Sequence, residues 1–447
     1  MFEDIEGRSN LTRNQLLFWA GQKLRSAEPL YNMVLCYSIQ TDLNIERLQR
    51  AWTTLVNSSD ALRTVIVECD GVPMQTVLPR IDHTLEVVDS KNPRSWIQER
   101  SQTVFDFEKR LFDGAVIKIA DQEFIIYINT HQIIGDAWAT NLIYRRLAEL
   151  YNGRAAEFPP FQSYIDFERE NRGSTRNQKA EAYWKQQLRE PADEMKLYGE
   201  TPGTTTRGRR LTTHLDRELV EKLRAVANSK DMFVGTPDLS LFVLFVSIYF
   251  AYVYLISGAR RLSLGIMHHN RVTKSFADTI GMFTETLPLR VTIASDETFR
   301  TLIRKVTSGV LDSLKHGQFT TGNPIQNANY HVSFNYINAS LPEFQGVPVS
   351  AEWVHTGYQN EILDLHVRHG NSVGDLVLEF DLDSDLFSEE QQREAMRQFA
   401  LVMESATDIY AGGDAAIDHG LLMDESQKAR FAALLSEASF VFETTQR

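Results

Sequence analysis

The chain has 447 residues, of which 43% are apolar, 10% aromatic and 23% charged. These values are typical of a globular protein and exclude collagen-like and coiled-coil chains, while the length favours two lobes over a single core. The formal net charge of −13 disfavours a broad nucleic-acid-binding surface, because neutralising phosphates requires clustered Lys and Arg. Two cysteines, Cys36 and Cys69, are too few for a disulfide framework, so we expect a reduced, cytoplasmic protein.

One apolar stretch has the minimum length of a membrane span. Residues 240–257 contain no charged side chain, but they include three serines and three tyrosines, and the stretch stands alone. A bilayer-spanning helix needs about 20 predominantly apolar residues. The stretch therefore predicts a buried core helix, and the charged N-terminus predicts no secretory signal.

The first half of the chain mixes predicted helices and strands. Apolar residues at helical spacing predict helices over residues 12–24, 43–57 and 139–151, with Thr12 as the first N-cap, and two more between residues 159 and 188. β-Branched and aromatic runs predict strands over residues 33–39, 63–67, 74–77, 115–119 and 124–128.

The second half repeats this mixture after a polar linker over residues 199–208. The basic cluster of residues 207–210 is expected to be a solvated edge of that linker. Helices are predicted over residues 217–228, 239–256, 299–314 and 388–409, and strands over residues 261–267, 287–293, 331–337, 362–369 and 376–382. The order lacks a regular βαβα alternation and predicts an α+β fold with mixed sheets.

Candidate reactive side chains follow the strand at residues 124–128. His131, Gln132 and Asp136 come just before a helix start, where loops commonly present reactive groups. A strand-end histidine that bonds only backbone is the more common structural interpretation. The sequence contains no phosphate-loop, dinucleotide-binding, zincin or nucleophile-elbow motif, and its paired histidines are spaced unfavourably for zinc.

Six segments occur in the order found in one known family. They are residues 11–15 (LTRNQ, followed by Trp19), 61–64 (ALRT), 131–138 (HQIIGDAW), 164–167 (YIDF), 265–271 (GIMHHNR) and 280–290 (IGMFTETLPLR). In these segments the chain resembles the condensation domains of nonribosomal peptide synthetases, which belong to the chloramphenicol acetyltransferase-like superfamily. The resemblance covers nearly the whole chain.

The resemblance implies an α+β fold of two chloramphenicol acetyltransferase-like lobes in a V-shaped pseudo-dimer. We expect an N-terminal lobe over residues 1–190, a linker over 191–208 and a C-terminal lobe over 209–447. Residues 424–442 resemble a helix and linker before an adenylation domain. The implied reaction joins an acyl thioester, held on the 4'-phosphopantetheine arm of a donor carrier protein, to the amine of an acceptor carrier. It forms an amide or ester in antibiotic biosynthesis and needs no metal, bound cofactor, nucleic acid or membrane.

The resemblance also implies roles for particular residues. In the family the second motif histidine, here Gln132, orients the nucleophile or takes its proton, while the first, His131, is mainly structural. The aspartate, Asp136, is expected to form a structural salt bridge with Arg271. The catalytic set carried over is thus Gln132, His131 and Asp136. The residues expected at the substrate tunnel are Trp138, Asn270 and Glu285.

Three positions depart from the family pattern, since Gln132, Ala137 and Glu285 replace histidine, glycine and asparagine. Glutamine has no basic nitrogen and cannot act as a general base, but its carbonyl can orient an amine. General-base catalysis raises a reaction rate by about 10²–10⁴-fold, whereas holding two reactants in line lowers the activation barrier by about 7–11 kcal/mol. The chain is then an acyltransferase that relies on positioning, a silent module that binds carriers or recruits partners, or a stand-alone coenzyme A-dependent acyltransferase. Gln132 is either the natural residue or an engineered substitution. The additional departures at Ala137 and Glu285 favour natural divergence.

Overall fold

The computed structural model describes residues 2–201, 203, 205–271, 273–317, 330–338, 341–370, 374–408, 413–414 and 416–429. The predicted terminal segment, residues 424–442, lies outside the described residues beyond residue 429, and so does the last residue of the helix predicted over 388–409.

Helices and strands alternate irregularly along the chain. The helices are Phe2–Arg8 (α1), Arg13–Leu24 (α2), Ile45–Ser58 (α3), Arg94–Ser101 (α4), Ala137–Tyr151 (α5), Gln162–Asn171 (α6), Thr175–Gln187 (α7), Arg217–Ala227 (α8), Pro237–Ser257 (α9), Lys274–Ala277 (α10), Phe299–His316 (α11) and Glu389–Thr407 (α12). The strands are Asn32–Gln40 (β1), Thr64–Cys69 (β2), Val72–Val77 (β3), Glu86–Asp89 (β4), Phe112–Ala120 (β5), Glu123–His131 (β6), Gly208–His214 (β7), Arg261–His268 (β8), Glu285–Thr292 (β9), Val332–Ile337 (β10), Val349–Val354 (β11), Leu363–His369 (β12) and Leu376–Asp383 (β13).

The first large sheet has five strands in the order β11-β1-β6-β5-β4. β1 pairs with β6 and β11, and β5 with β6, all antiparallel, whereas β4 joins β5 in parallel. Helices α3 and α5 cover one face, where Trp52 and Leu147 are fully buried. Strand β11 lies in the range expected for the C-terminal lobe, yet it completes this sheet.

The second large sheet has six strands in the order β7-β13-β12-β10-β8-β9. Helix α9 packs with α11 and α12 in the hydrophobic core beside this sheet. Of its most apolar stretch of 18 residues, 83% is buried inside the protein. Thr236 caps the N-terminus of α9, Pro237 occupies its first turn, and Gly258 ends it with a left-handed φ of 68°. The predicted buried core helix is therefore found in the structure.

The interpretation of the basic cluster at residues 207–210 was wrong for Arg210. This residue lies on β7, and its side chain is buried against Asp381 and Glu379. Six elements, α1, β4, α4, β7, α10 and β11, have no counterpart among the predicted ones. Each is eight residues or shorter, so each offers too few apolar positions for a periodic signal.

Candidate functional site

The loop between β6 and α5 brings three of the predicted site residues together. β6 ends at His131, a short 3₁₀ turn covers Gln132–Ile134, and α5 begins after Asp136. The backbone N–H of Gln132 donates to the carbonyl of Tyr31 (2.9 Å), and its own carbonyl accepts from Gly135 (3.1 Å). The first of these bonds attaches the turn to the segment that precedes β1, and the second closes the turn.

His131 is buried and is held as a neutral ring. Its Nδ1 accepts a hydrogen bond from the backbone N–H of Ile133 (3.0 Å), so the proton belongs on Nε2, which lies 3.3 Å from Oε1 of Gln22. The ring also makes edge contacts with Tyr31 and Phe107. Burial lowers the pKa of His131 to about 3, so this side chain stays uncharged near neutral pH.

Asp136 and Arg271 form a buried, bidentate ion pair. Nη1 of Arg271 lies 2.6 Å from Oδ2 of Asp136, and Nη2 lies 2.9 Å from Oδ1. Oδ1 also accepts from the N–H of Ala139 (2.8 Å) and so caps α5. Oδ2 accepts from the backbone of Phe283 and from both the backbone and hydroxyl of Thr284, at 3.0–3.1 Å. The aspartate thus ties the motif loop to the segment before β9.

These contacts also set the charge of the aspartate. Burial alone would raise the pKa of Asp136, but the adjacent Arg271 guanidinium and the donated N–H bonds hold the pKa below its ordinary value. The Arg271 guanidinium stacks on Phe283, with 4.3 Å between its carbon and the ring centroid. Asp136 is therefore an anion near neutral pH, and it fixes the loop.

Gln132 lines a cavity of about 720 Å³ between the first sheet, α2 and the polar face of the second sheet. Among the described residues its side-chain amide has no hydrogen-bond partner, so its carbonyl is available to a ligand. Other residues of the wall are Tyr31, Glu285, Tyr330, Asp364 and His366. A volume of this order suits a small organic ligand.

The three residues expected at the substrate tunnel occupy different positions. Glu285 lines the cavity and accepts a hydrogen bond from Nδ2 of Asn270 (3.0 Å). Asn270 is not part of the cavity wall. Trp138 also lies outside it, because it sits on the first turn of α5 and its indole N–H donates to the carbonyl of Ala277 (2.9 Å).

Sequence reasoning missed the polar residues that the second sheet contributes to the cavity. Arg210, Asp364, His366 and Asp381 all line it. A signal was present, because strands 362–369 and 376–382 place charged residues at every second position within apolar runs. Such alternation marks one polar face of a strand, and here that face forms the cavity wall.

A family model described as Condensation domain matches residues 5–430. One of the proteins that make up plipastatin synthase in Bacillus subtilis (strain 168) is 22% identical over 422 residues, which cover 89% of this chain and 16% of that protein. Bacitracin synthase 2 of Bacillus licheniformis is 24% identical over 324 residues, which cover 70% of this chain and 12% of that protein. The chain thus spans a small part of the curated relatives it matches.

Solved structures with the same fold include two condensation domains. The first condensation domain of the calcium-dependent antibiotic synthetase, in complex with a substrate analogue, has a TM-score of 0.80 at 18% identity, over 91% of this chain and 97% of that chain. The starter condensation domain of rhizomide synthetase, in complex with C8-CoA, has a TM-score of 0.79 at 19% identity, and the match covers 91% of this chain and 96% of that chain. The predicted α+β fold is confirmed, and the chain belongs to the condensation domain family.

Proposed function

We propose that this chain is a condensation-type acyltransferase of nonribosomal peptide biosynthesis. It transfers an acyl group from a thioester on a 4'-phosphopantetheine arm to an amine and forms an amide. Family membership supports this assignment. The observation that carries it is Gln132, whose side-chain amide faces a 720 Å³ cavity without a partner among the described residues. The buried pair of Asp136 and Arg271 holds the loop that presents this amide.

In this proposal Gln132 orients the attacking amine. Its side-chain carbonyl accepts a hydrogen bond from the amine N–H and directs the nitrogen lone pair at the thioester carbonyl carbon. The C–N bond forms, the C–S bond breaks, and the amine proton leaves with the thiol. Glutamine supplies no base, so the rate rests on holding two reactants in line, an effect of about 7–11 kcal/mol. His131 and Asp136 act as positioning residues.

The partners are proposed on the same basis. A donor and an acceptor carrier protein present the two substrates, in the cytoplasm, and an adenylation domain adjoins the chain in the synthetase. Substrates arrive on phosphopantetheine, and the reaction uses no other bound cofactor. The net charge of −13 disfavours long-lived docking of acidic partners and favours short contacts at local basic patches. We keep residues 191–208 as the boundary between the N-terminal and C-terminal lobes.

The test is product formation from loaded carriers, followed by mass spectrometry. We expect the unmodified chain to form the amide above the uncatalysed background. Gln132→Ala should lower the rate by roughly ten-fold or more, since the orienting carbonyl is lost, and Gln132→His should retain or raise it. Gln162→Ala, an exposed glutamine on α6, is the matched control and should leave the rate unchanged.

Two other functions have specific support. The absence of a basic side chain at position 132 favours a silent module that binds carriers or recruits partners. No product from the unmodified chain, together with product from Gln132→His, supports that alternative and excludes native activity. A coenzyme A thioester shares the pantetheine arm, and the starter domain of rhizomide synthetase was solved with C8-CoA. Competition between acyl-coenzyme A and acyl-carrier donors distinguishes a coenzyme A-dependent enzyme.

A further inference from the structure

The second sheet presents a polar face to the cavity. The register aligns Ser333 of β10 with Asp364 of β12, Asp364 with Asp381 of β13, and Asp381 with Arg210 of β7. Since residues two apart on a strand share a face, His366 lies beside Asp364. Asp364, His366, Asp381 and Arg210 all line the cavity that also contains Gln132.

Two of the four carboxylates in this region are neutralised by arginines. Arg210 forms a bidentate pair with Asp381, with both N–O distances 2.6 Å, and lies 3.1 Å from Glu379. Arg368 donates to Glu379 at 2.6 Å. The remaining two carboxyl groups, Glu361 and Asp364, have no ion pair with any residue in the described part of the chain.

Glu361 and Asp364 share a hydrogen bond between their side chains, which requires a proton on one of them. The hydroxyl of Ser333 donates to Oδ1 of Asp364. Burial raises the pKa of Glu361, and burial together with the Glu361 charge raises the pKa of Asp364 well above its ordinary value. The shared hydrogen bond therefore places at least one proton on the pair, which has no ion-pair partner in the described part of the chain.

The pair lies next to the motif loop through Tyr31. The Tyr31 carbonyl accepts the backbone N–H of Gln132, while its side chain hydrogen bonds to Asn360 and lies within the field of Glu361. Arg13 of α2 also lines the cavity. The carboxyl pair and Gln132 thus border the same space.

An independent observation comes from His366, which is 3% exposed and lines the cavity. Its Nε2 lies 3.1 Å from Oδ2 of Asp381, and Arg210 keeps that carboxylate ionised, so Nε2 carries the proton. Nδ1 is then a bare acceptor, and it has no partner within the described ranges. Nε2 of His355 is an unsatisfied donor on the same wall, but it lies 3.8 Å from the Asp381 carboxylate. Nδ1 of His366 and the carboxyl groups of Glu361 and Asp364 are acceptors, which match a cationic group rich in N–H donors.

We propose that Glu361, Asp364 and His366 form a subsite for a primary ammonium group of the substrate. The inference rests on the proposed function, because it assumes that an amine substrate enters this cavity. An ammonium offers three N–H donors and a positive charge, and charge-assisted bonds are about twice as strong as neutral ones. The ammonium is either the protonated form of the α-amine, which must lose a proton before it attacks, or a basic side chain of a substrate, and the same subsite chemistry binds both.

The experiment measures binding to the full chain by isothermal titration calorimetry with unreactive pantetheine amides. Alanyl-pantetheine amide is compared with its Nα-acetyl form, to test the α-ammonium. Nα-acetyl-lysyl-pantetheine amide is compared with Nα-acetyl-norleucyl-pantetheine amide, to test a side-chain ammonium. We expect at least one charged ligand to bind about ten-fold tighter than its neutral partner, and the pair that shows the preference identifies the source.

Variants locate the preference within the cavity. Glu361→Gln and Asp364→Asn should reduce the preference to about two-fold or less, while Glu352→Gln, the same charge change at an exposed position on β11, should retain it. Thermal unfolding by circular dichroism checks that each variant is folded. The comparison of charged and neutral ligands on the unmodified chain needs no variant at all.

Equal affinity within both ligand pairs, or no binding of any ligand up to several millimolar, overturns the inference. Loss of the preference in Glu352→Gln also overturns it, since the cause is then a diffuse field. Because these readouts need no turnover, failure of amide formation with the preference intact rejects only the proposed function. Amide formation without the preference rejects only the ammonium subsite.

Discussion

Replacing Asp136 by alanine removes half of a buried ion pair and the N-cap of α5 at the same time. The Arg271 guanidinium, whose side chain is 2% exposed, then keeps as hydrogen-bond acceptors among the described residues the backbone carbonyls of His269, Thr279 and Gly281 at 3.3–3.5 Å. The N–H groups of Ala139, Phe283 and Thr284 lose their acceptor. Breaking a buried pair costs about 3–5 kcal/mol and losing an N-cap about 1 kcal/mol, so we expect about 5 kcal/mol of destabilisation.

The opposite deletion is expected to be milder. Arg271→Ala leaves the Asp136 carboxylate with four remaining donors, three backbone N–H groups and the hydroxyl of Thr284. We therefore expect about 3 kcal/mol, the lower end for a broken buried pair. Arg217→Ala, at an exposed ion pair on α8, is the control and should change the free energy of unfolding by less than about 0.5 kcal/mol.

Urea denaturation followed by tryptophan fluorescence measures these differences. Because the pKa of Asp136 is lowered in the folded protein, its contribution is complete above the ordinary aspartate pKa of about 3.9 and is lost as the pH falls through the lower folded value. The difference between the unmodified chain and Asp136→Ala should therefore be constant from pH 6 to 8. The reasoning is refuted if Asp136→Ala lowers the free energy of unfolding by less than about 2 kcal/mol, or if Arg271→Ala lowers it more than Asp136→Ala does.

Three further outcomes follow from burial and close contact. With its pKa lowered to about 3, His131 should remain neutral with its proton on Nε2, so NMR should detect no titration of its ring from pH 5 to 8. Gly281→Ala would place a methyl group 2.0 Å from the Phe161 ring, so we expect it to destabilise the protein by about 1–3 kcal/mol in urea denaturation. An unchanged midpoint of the urea unfolding transition contradicts this expectation. At pH 8 a disulfide reagent should react with the exposed Cys69 in the native protein and with Cys36 only after unfolding, because burial raises the pKa of the Cys36 thiol; fast native reaction of both thiols argues against this placement.

Strong local patterns made most of the fold predictable. The helix predicted over residues 43–57 is Ile45–Ser58 in the structure, and the one over 239–256 is Pro237–Ser257. Elements that depend on distant partners were not predictable in this way. β11 is half-exposed and gains its strand geometry from pairing with β1, a contact that no local window contains.

The residues of the candidate site show the same difference between strong local patterns and contacts with distant partners. Asp136 and Arg271 could be paired from sequence because the family motifs carry both residues, and the structure places them in contact. Trp138 ends the same motif and was expected at the tunnel, and in the structure its indole N–H donates to the carbonyl of Ala277 outside the cavity wall. Glu361 and His366 belong to no motif. They line the same cavity as Gln132 because β12 and the residues just before it form part of the cavity wall.

The pairing of β1 with β11 joins residues 34–39 to residues 349–354, which lie 310 to 320 positions later in the chain. During synthesis the first sheet therefore keeps one edge of β1 open until most of the protein has left the ribosome. An open edge strand is a template for pairing with other chains, so the nascent first half is exposed to aggregation. A chain truncated before residue 349 should share this defect. The first half of the sequence thus depends on the second half to become soluble and complete.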